Sequence, residues 1–221
     1  MKRLSEINEG VFRNSIIRTS GTGTKRREEQ MDYIPVDLGL PSGTLWCDRN
    51  VGAEQPEDYG WYFQWAGTED KTGKNCDYDT CPYWNDKEDM FEKYNKIDKK
   101  TVLDPEDDAA TAHMGGKWHM PTAEQCEELI KNTDIKWTWV KGVNGKIFES
   151  RKNGNSIFIP YAGYMASSGS ISTGISFHVW SSSVSSRNSE LVYNCIHSYD
   201  KDVAAENRDF CFSVRGVIDN K

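Results

Sequence analysis

No stretch of the chain approaches the roughly 18 consecutive apolar residues that a membrane-spanning helix requires, so helical insertion into a bilayer is not expected. The opening "MKRLSEINEG" has a basic start with no apolar segment behind it, and no secretory signal is read there. Histidine is scarce. The four residues His113, His119, His178 and His197 form no HExxH pattern, and no carboxylate pair stands at a telling interval. "GTGT" at 21–24 lacks the lysine and flanking strand of a phosphate loop, and the serine runs lack the GxSxG context of a nucleophile. The six cysteines contain no CxxC pair; without a secretion signal, reduced thiols are expected rather than a disulfide framework. Excess positive charge is also missing from most of the chain. Residues 1–30 carry seven Lys/Arg against four Asp/Glu, a local +3, and with a total of −7 the remainder carries −10. A body of that sign repels phosphate backbones, which argues against nucleic acid as a partner.

Large side chains, by contrast, are plentiful. Apolar residues make up 37% and aromatics 12%, with eight tryptophans, too much large apolar surface for a disordered chain despite a mean hydropathy of −0.73. The length of 221 residues suits one domain with an appendage. The appendage is read over 1–32: Leu4, Ile7, Val11, Phe12 and Ile16 recur at three- and four-residue steps, as in a one-sided docking helix, and "TSGTGTKRREEQ" follows as a linker.

In the body, from residue 33 to 221, "EDYGWYFQWAGTED" concentrates aromatics expected in the core, and residues 67–108 read as a polar excursion over the surface. "PTAEQCEELIKN" predicts a helix with a capping box at Thr122 and Gln125, its inward stripe being Cys126, Leu129 and Ile130, with Cys126 acting as a small hydrophobe. "WTWV", "KIFES" and "SIFIP", separated by "GVNG" and "KNGN", predict antiparallel strands. In "DFCFSVRGV", Phe210, Phe212 and Val214 alternate as in a half-buried strand. The fold class is therefore α+β.

The phrases "VDLGLPSGTLWCDRNVGAEQPEDYGWYFQWAGTED", "LDPEDDAATAHMGGKWHMPTAEQCEELI", "NGNSIFIPYAGY", "WSSS" and "FCFSVRGV" fall in one order over residues 34–218. Together they resemble the C-type-lectin-like domain of the Fibrobacter succinogenes major paralogous family, related to the formylglycine-generating-enzyme fold. The resemblance implies a small antiparallel sheet, two helices and long ordered loops. It also brings in the variable proteins of diversity-generating retroelements, in which adenine-directed mutagenesis rewrites codons near the C-terminus to vary a ligand-binding face. The N-terminal phrase is similar to leaders on Bacteroides phage virion proteins, which assemble in the host cytoplasm and reach the outside by lysis.

Three functions compete. An oxidase of the formylglycine-generating type uses a cysteine pair with four residues between, the spacing of Cys76 and Cys81, but in such enzymes the pair lies in the C-terminal part of the fold. A decoration or assembly protein would share the fold and the anchor. The favoured expectation is a noncatalytic virion protein that displays a binding surface for a host-cell protein or glycan and docks on other virion proteins through residues 1–30. A homo-oligomer is compatible with this, and no residue pattern selects its order.

Residues 165–189 include eleven serines, yet Ile171, Ile175, Phe177, Val179, Trp180 and Val184 stand among them, which a tether would avoid. The segment is read as folded, with serines outward, and the resemblance implies that the tryptophan of "WSSS", Trp180, is one of the fixed core residues that hold it. The ligand-contact candidates are Ser176, Phe177, His178, Ser185, Asn188, Tyr193, Asn194, His197, Asp209 and Cys211, residue types suited to adaptable recognition. No cofactor is expected. The carboxylates Asp104, Glu106, Asp107 and Asp108 depart from calcium-lectin triplets and from EF-hand spacing, and are read as a helix-start motif.

Overall fold

Short β-prone runs punctuated by glycine and proline cannot make long strands, and in the computed structural model they make many brief ones. It describes residues 32–197 and 203–220. The predicted docking helix and linker, except for Asp32, lie outside the described residues. The body, Met31–Lys221, is one unit and is described by itself.

Strands β1 (Pro35–Asp37) and β2 (Leu45–Cys47) join β15 (Val217–Ile218) in a three-stranded antiparallel sheet that brings the two ends of the body together. After β3 (Tyr62–Gln64), the polar excursion holds little regular structure beyond the ladder of β4 (Trp84–Asn85) with β5 (Met90–Phe91). It is nevertheless anchored by buried Cys76, Cys81, Phe91, Tyr94 and Leu103.

Helix α1 (Ala109–Met114) starts at Asp108, whose Oδ1 accepts the Thr111 N–H at 2.8 Å while Oδ2 accepts from Met120 N at 2.7 Å. The predicted helix-start motif is thus what "EDDAA" forms. Helix α2 (Ala123–Asn132) carries the predicted capping box, with Cys126 and Leu129 buried and Ile130 half-buried.

The three predicted strands follow as β6 (Thr133–Val140), β7 (Val143–Ser150) and β8 (Ser156–Pro160), in the order β6-β7-β8. Their first turn is Lys141–Gly142 rather than "GVNG": both residues have positive φ, 47° and 88°, as a two-residue turn matched to strand twist requires, so Val143–Gly145 belongs to β7.

The C-terminal sheet has seven strands. Its order is β10 (Gly169–Ile171), β9 (Tyr164–Ala166), β14 (Cys211–Ser213), β11 (His178–Val184), β12 (Leu191–His197) and β13 (Ala204–Asn207), with β3 also paired to β14. Among the described residues, fifteen strands and two α-helices make a mixed, mostly β body.

Two expectations fail in this sheet. The serines of "WSSS" do not point outward: Ser181, Ser182 and Ser183 are buried. Ser181 Oγ donates to Tyr193 O at 2.7 Å, Ser182 Oγ donates to Pro121 O at 3.2 Å, and Ser183 Oγ accepts from Ala123 N at 3.0 Å. The hydroxyls are turned to peptide groups of neighbouring segments, and Pro121 O accepts from both the N–H and the hydroxyl of Ser182.

The cysteines are not all reduced either. Cys76 is bonded to Cys211 and Cys126 to Cys195, across 135 and 69 residues of sequence. Cys126 is therefore half of a disulfide and not a lone hydrophobe, and the spacing rules missed both pairs because only the fold brings the partners together.

Trp180 is fully buried, stacked on Phe212 with centroids 4.0 Å apart, and donates Nε1–H to Phe63 O at 2.7 Å. Arg215 is also fully buried. Its guanidinium donates to Asn50 Oδ1 at 3.0 and 2.8 Å, to Cys47 O at 3.1 Å and to Phe158 O at 3.0 Å. Burial pushes its pKa down to about 10, so it stays charged at neutral pH. Replacing Arg215 by Leu should cost about 3–5 kcal/mol, because three buried acceptors lose their donor together. Urea unfolding of Arg215→Leu checks this, and a loss under about 1 kcal/mol would contradict it.

Candidate functional site

Strand alternation puts His178 and Trp180 on one side of β11, and Phe210 and Phe212 on one side of the segment entering β14. These sides coincide. His178 lies 4.8 Å from Phe212 and Tyr164 5.1 Å from His178, while Tyr164 is 5.5 Å from Phe210 and 5.9 Å from Phe212, all between ring centroids. Trp180 and Phe212 are the buried floor; Tyr164, His178 and Phe210 are half-buried and reach solvent above it. The result is an aromatic face whose depth is fixed by a stacked indole.

The polar groups of this face are arranged from β12. Asn194, fully buried, accepts from Val179 N at 3.3 Å through Oδ1, and its Nδ2 lies 3.1 Å from His178 Nδ1. That contact makes Nδ1 the acceptor and leaves the His178 proton on Nε2. His197, buried at the end of β12, stacks on His178 with centroids 6.3 Å apart. Burial, then the neighbouring His197, pushes His178 down to about 4, so it is a neutral imidazole at physiological pH. On β13, Glu206 pairs with Val192, and burial raises its carboxyl above the usual range.

Of the ten sequence candidates, His178, Asn194 and His197 gather here. A second group meets where β11 turns into β12. Tyr193, half-buried, has its hydroxyl 2.9 Å from Ser186 Oγ; Asn188 accepts from Glu190 N at 3.0 Å through Oδ1; Ser185 is buried, its N–H donating to Leu191 O at 2.9 Å. Asp209 stands apart, half-buried in the turn before β14, with burial raising its carboxyl.

Three candidates are corrected. Ser176 and Phe177 are buried, Phe177 packing 5.6 Å from Tyr161, and Cys211 is buried in its disulfide, so none of them meets solvent. Asn194 also differs from the exchangeable surface residue expected of it, because its amide is built into the sheet. Sequence reasoning missed Tyr164 and Phe210 as face residues. The period-two relation of Phe210 to Phe212 was the available signal for one of them; nothing local marks the other.

Arg208 fixes the edge of this region. Buried between Trp65 and Phe91, 4.8 and 4.2 Å from their ring centroids, it donates to Lys93 O at 3.1 Å and to Tyr94 O and Ser189 O, both at 2.5 Å. It therefore pins the β11–β12 turn to the polar excursion.

Chemistry elsewhere is muted. Cys76 and Cys81 are not a bonded pair, and burial pushes the free thiols Cys47 and Cys81 up to about 12, far from a reactive thiolate. The carboxylates before α1 are engaged by cations and phenols. Lys93 Nζ lies 2.8 Å from Asp104 and 2.6 Å from Asp107, and Asp107 also accepts from Tyr83 and Tyr94 hydroxyls at 2.6 and 2.5 Å. No protein-family model, curated protein or solved structure matches this chain.

Asn194→Ala should cost about 1–3 kcal/mol, the usual loss when a buried peptide N–H is orphaned, whereas Tyr193→Phe should stay within about 1 kcal/mol. Equal thermal-unfolding losses for the two would remove the distinction. For His178, the folded value lies below the ordinary 6.5, so the unfolded chain takes up the proton first. Its contribution to stability is complete above about pH 6.5 and is lost as pH falls towards 4. An NMR titration should find the His178 ring neutral until the pH nears 4; a midpoint near 6.5 would contradict the burial described.

Proposed function

We propose that this chain is a noncatalytic virion protein whose body, a C-type-lectin-like domain, presents the aromatic face and the adjoining β11–β12 turn to a host-cell protein or glycan. The observation that carries the reading is the layering: half-buried rings and polar groups stand above a floor that is stacked, hydrogen-bonded and tied by disulfides. Tyr164 and Phe210 supply flat contact area at little entropic cost, and neutral His178 supplies a hydrogen bond without a charge to desolvate. Tyr193, Asn188 and Arg187 extend the surface along the turn.

The likeness to retroelement-diversified proteins adds a mechanism for changing partners. A face can be rewritten only if its scaffold does not depend on it, and here the structural bonds of β11, β12 and β14 are made on the buried side by Trp180, the serine hydroxyls and the two disulfides. Supporting a binder over an oxidase, the cysteine with enzyme-like spacing is spent in a structural bond and the free thiols are protonated.

Sequencing the last third of this gene across its source population tests the reading. Substitutions should cluster at adenine-derived codons between residues 170 and 212 and spare Trp180, Ser181–Ser183, Cys195, Arg208 and Cys211. A flat distribution, or variation concentrated at those buried positions, would overturn the diversified face.

A further inference from the structure

Trp137 and Trp139 are the largest of the exposed apolar side chains among the described residues, each 58% exposed. Two apart on β6, they project from the same face, with centroids 5.9 Å apart and rings at 82°. Across the ladder Trp139 pairs with Asn144, whose Nδ2 donates to Gly174 O at 2.9 Å, placing Ile175, 66% exposed, next in the chain to that carbonyl. β6 is also an edge: eight residues long, it pairs with β7 on one side and with no strand on the other among the described residues. A long, apolar, unpaired edge is a template for another strand, and a monomer would ordinarily blunt it.

We infer that β6 pairs antiparallel with β6 of a second copy of this chain, about a twofold axis through Thr138. In this register Trp137 faces Trp139 of the second copy and Trp139 faces its Trp137, so each exposed indole is covered by an indole, and Lys136 faces Val140. The charges permit it. Lys136 is paired with Glu149 at 2.9 Å and Lys141 with Glu57 at 2.6 Å within the chain, so the axis opposes no like charges.

The area also suits a second copy. An aromatic side chain buries on the order of 150–250 Å². Four indoles, each 58% open, therefore supply roughly 350–580 Å² of the ~1,200 Å² at which specific interfaces begin, before any contribution from the two paired edges. The contact is isologous and closes on itself, leaving no edge for growth. Because it lies on a different sheet from the aromatic face, it doubles that face in one particle component and raises avidity without occupying the face.

Sedimentation velocity of the full chain from about 1 to about 100 µM should give twice the 25.2 kDa chain mass at the upper end. The double variant Trp137→Ser, Trp139→Ser should be monomeric throughout, and at about 1 µM or below its melting temperature should match that of the dissociated wild-type chain, since neither ring is core. Thr138→Cys, treated with diamide to take up the two thiol hydrogens, should form a covalent dimer that the wild-type chain does not. A monomeric wild-type chain, whose indoles would then be open to a sugar or another protein, would overturn the proposal. So would a dimer or larger assembly that survives the tryptophan substitutions, or a Thr138→Cys chain that fails to cross-link.

Discussion

The body depends on a buried positive charge whose hydrogen bonds among the described residues all go to amide oxygens. Arg215 enters the core just after β14 and gives its guanidinium hydrogens to the end of β2, the side chain of Asn50 and the backbone of β8. Removing such a charge from water is costly, and carbonyl dipoles offset that cost only when all are in place. One side chain thus makes the meeting of three separated segments an all-or-none event. The neighbouring bonds of Val51 N to Val214 O and Cys47 N to Gly216 O, both 2.9 Å, depend on the same meeting.

Arg208 repeats the device at the opposite end of β14. It too is buried among carbonyls, here with an aromatic ring on each side, and it joins the polar excursion to the turn that borders the aromatic face. Between the two arginines, the disulfides tie β14 to the excursion and β12 to α2. The strands that carry the face are therefore held by bonds directed away from it. Rigid support beneath replaceable side chains is what lets one backbone recognise different partners at low entropic cost.

Much of this was legible in the sequence, and the misses have a common cause. Helix α2 was readable because its capping box and apolar stripe are local, and β6, β7 and β8 were readable from β-prone runs between turn residues. That residues 165–189 fold followed from the apolar residues among the serines, and the burial of Trp180 agrees with the fixed role that the family resemblance implied for it. The disulfides, the inward serines and the structural role of Asn194 were not legible, because each depends on a partner far away in sequence: Pro121 for Ser182, Cys76 for Cys211, Val179 for Asn194. Composition suggests that a serine faces solvent, and only tertiary approach shows that it satisfies a peptide group instead. The aromatic face was half legible. The strand of Phe210 and Phe212 was readable from its alternation, and residues 165–189 were readable only as folded; Tyr164 comes to the face through the pairing of β9 with β14 that no local pattern announces.

The separation of scaffold from face is tested most directly by a deep mutational scan of residues 160–217 in which folded abundance and attachment to host cells are read separately. Substitutions at Trp180, Asn194, Arg208 and Arg215 should lose abundance, whereas those at Tyr164, Asn188, Tyr193 and Phe210 should keep abundance and change attachment. If attachment followed abundance alone at every position, the aromatic face would be ordinary surface and the layering would have no functional meaning.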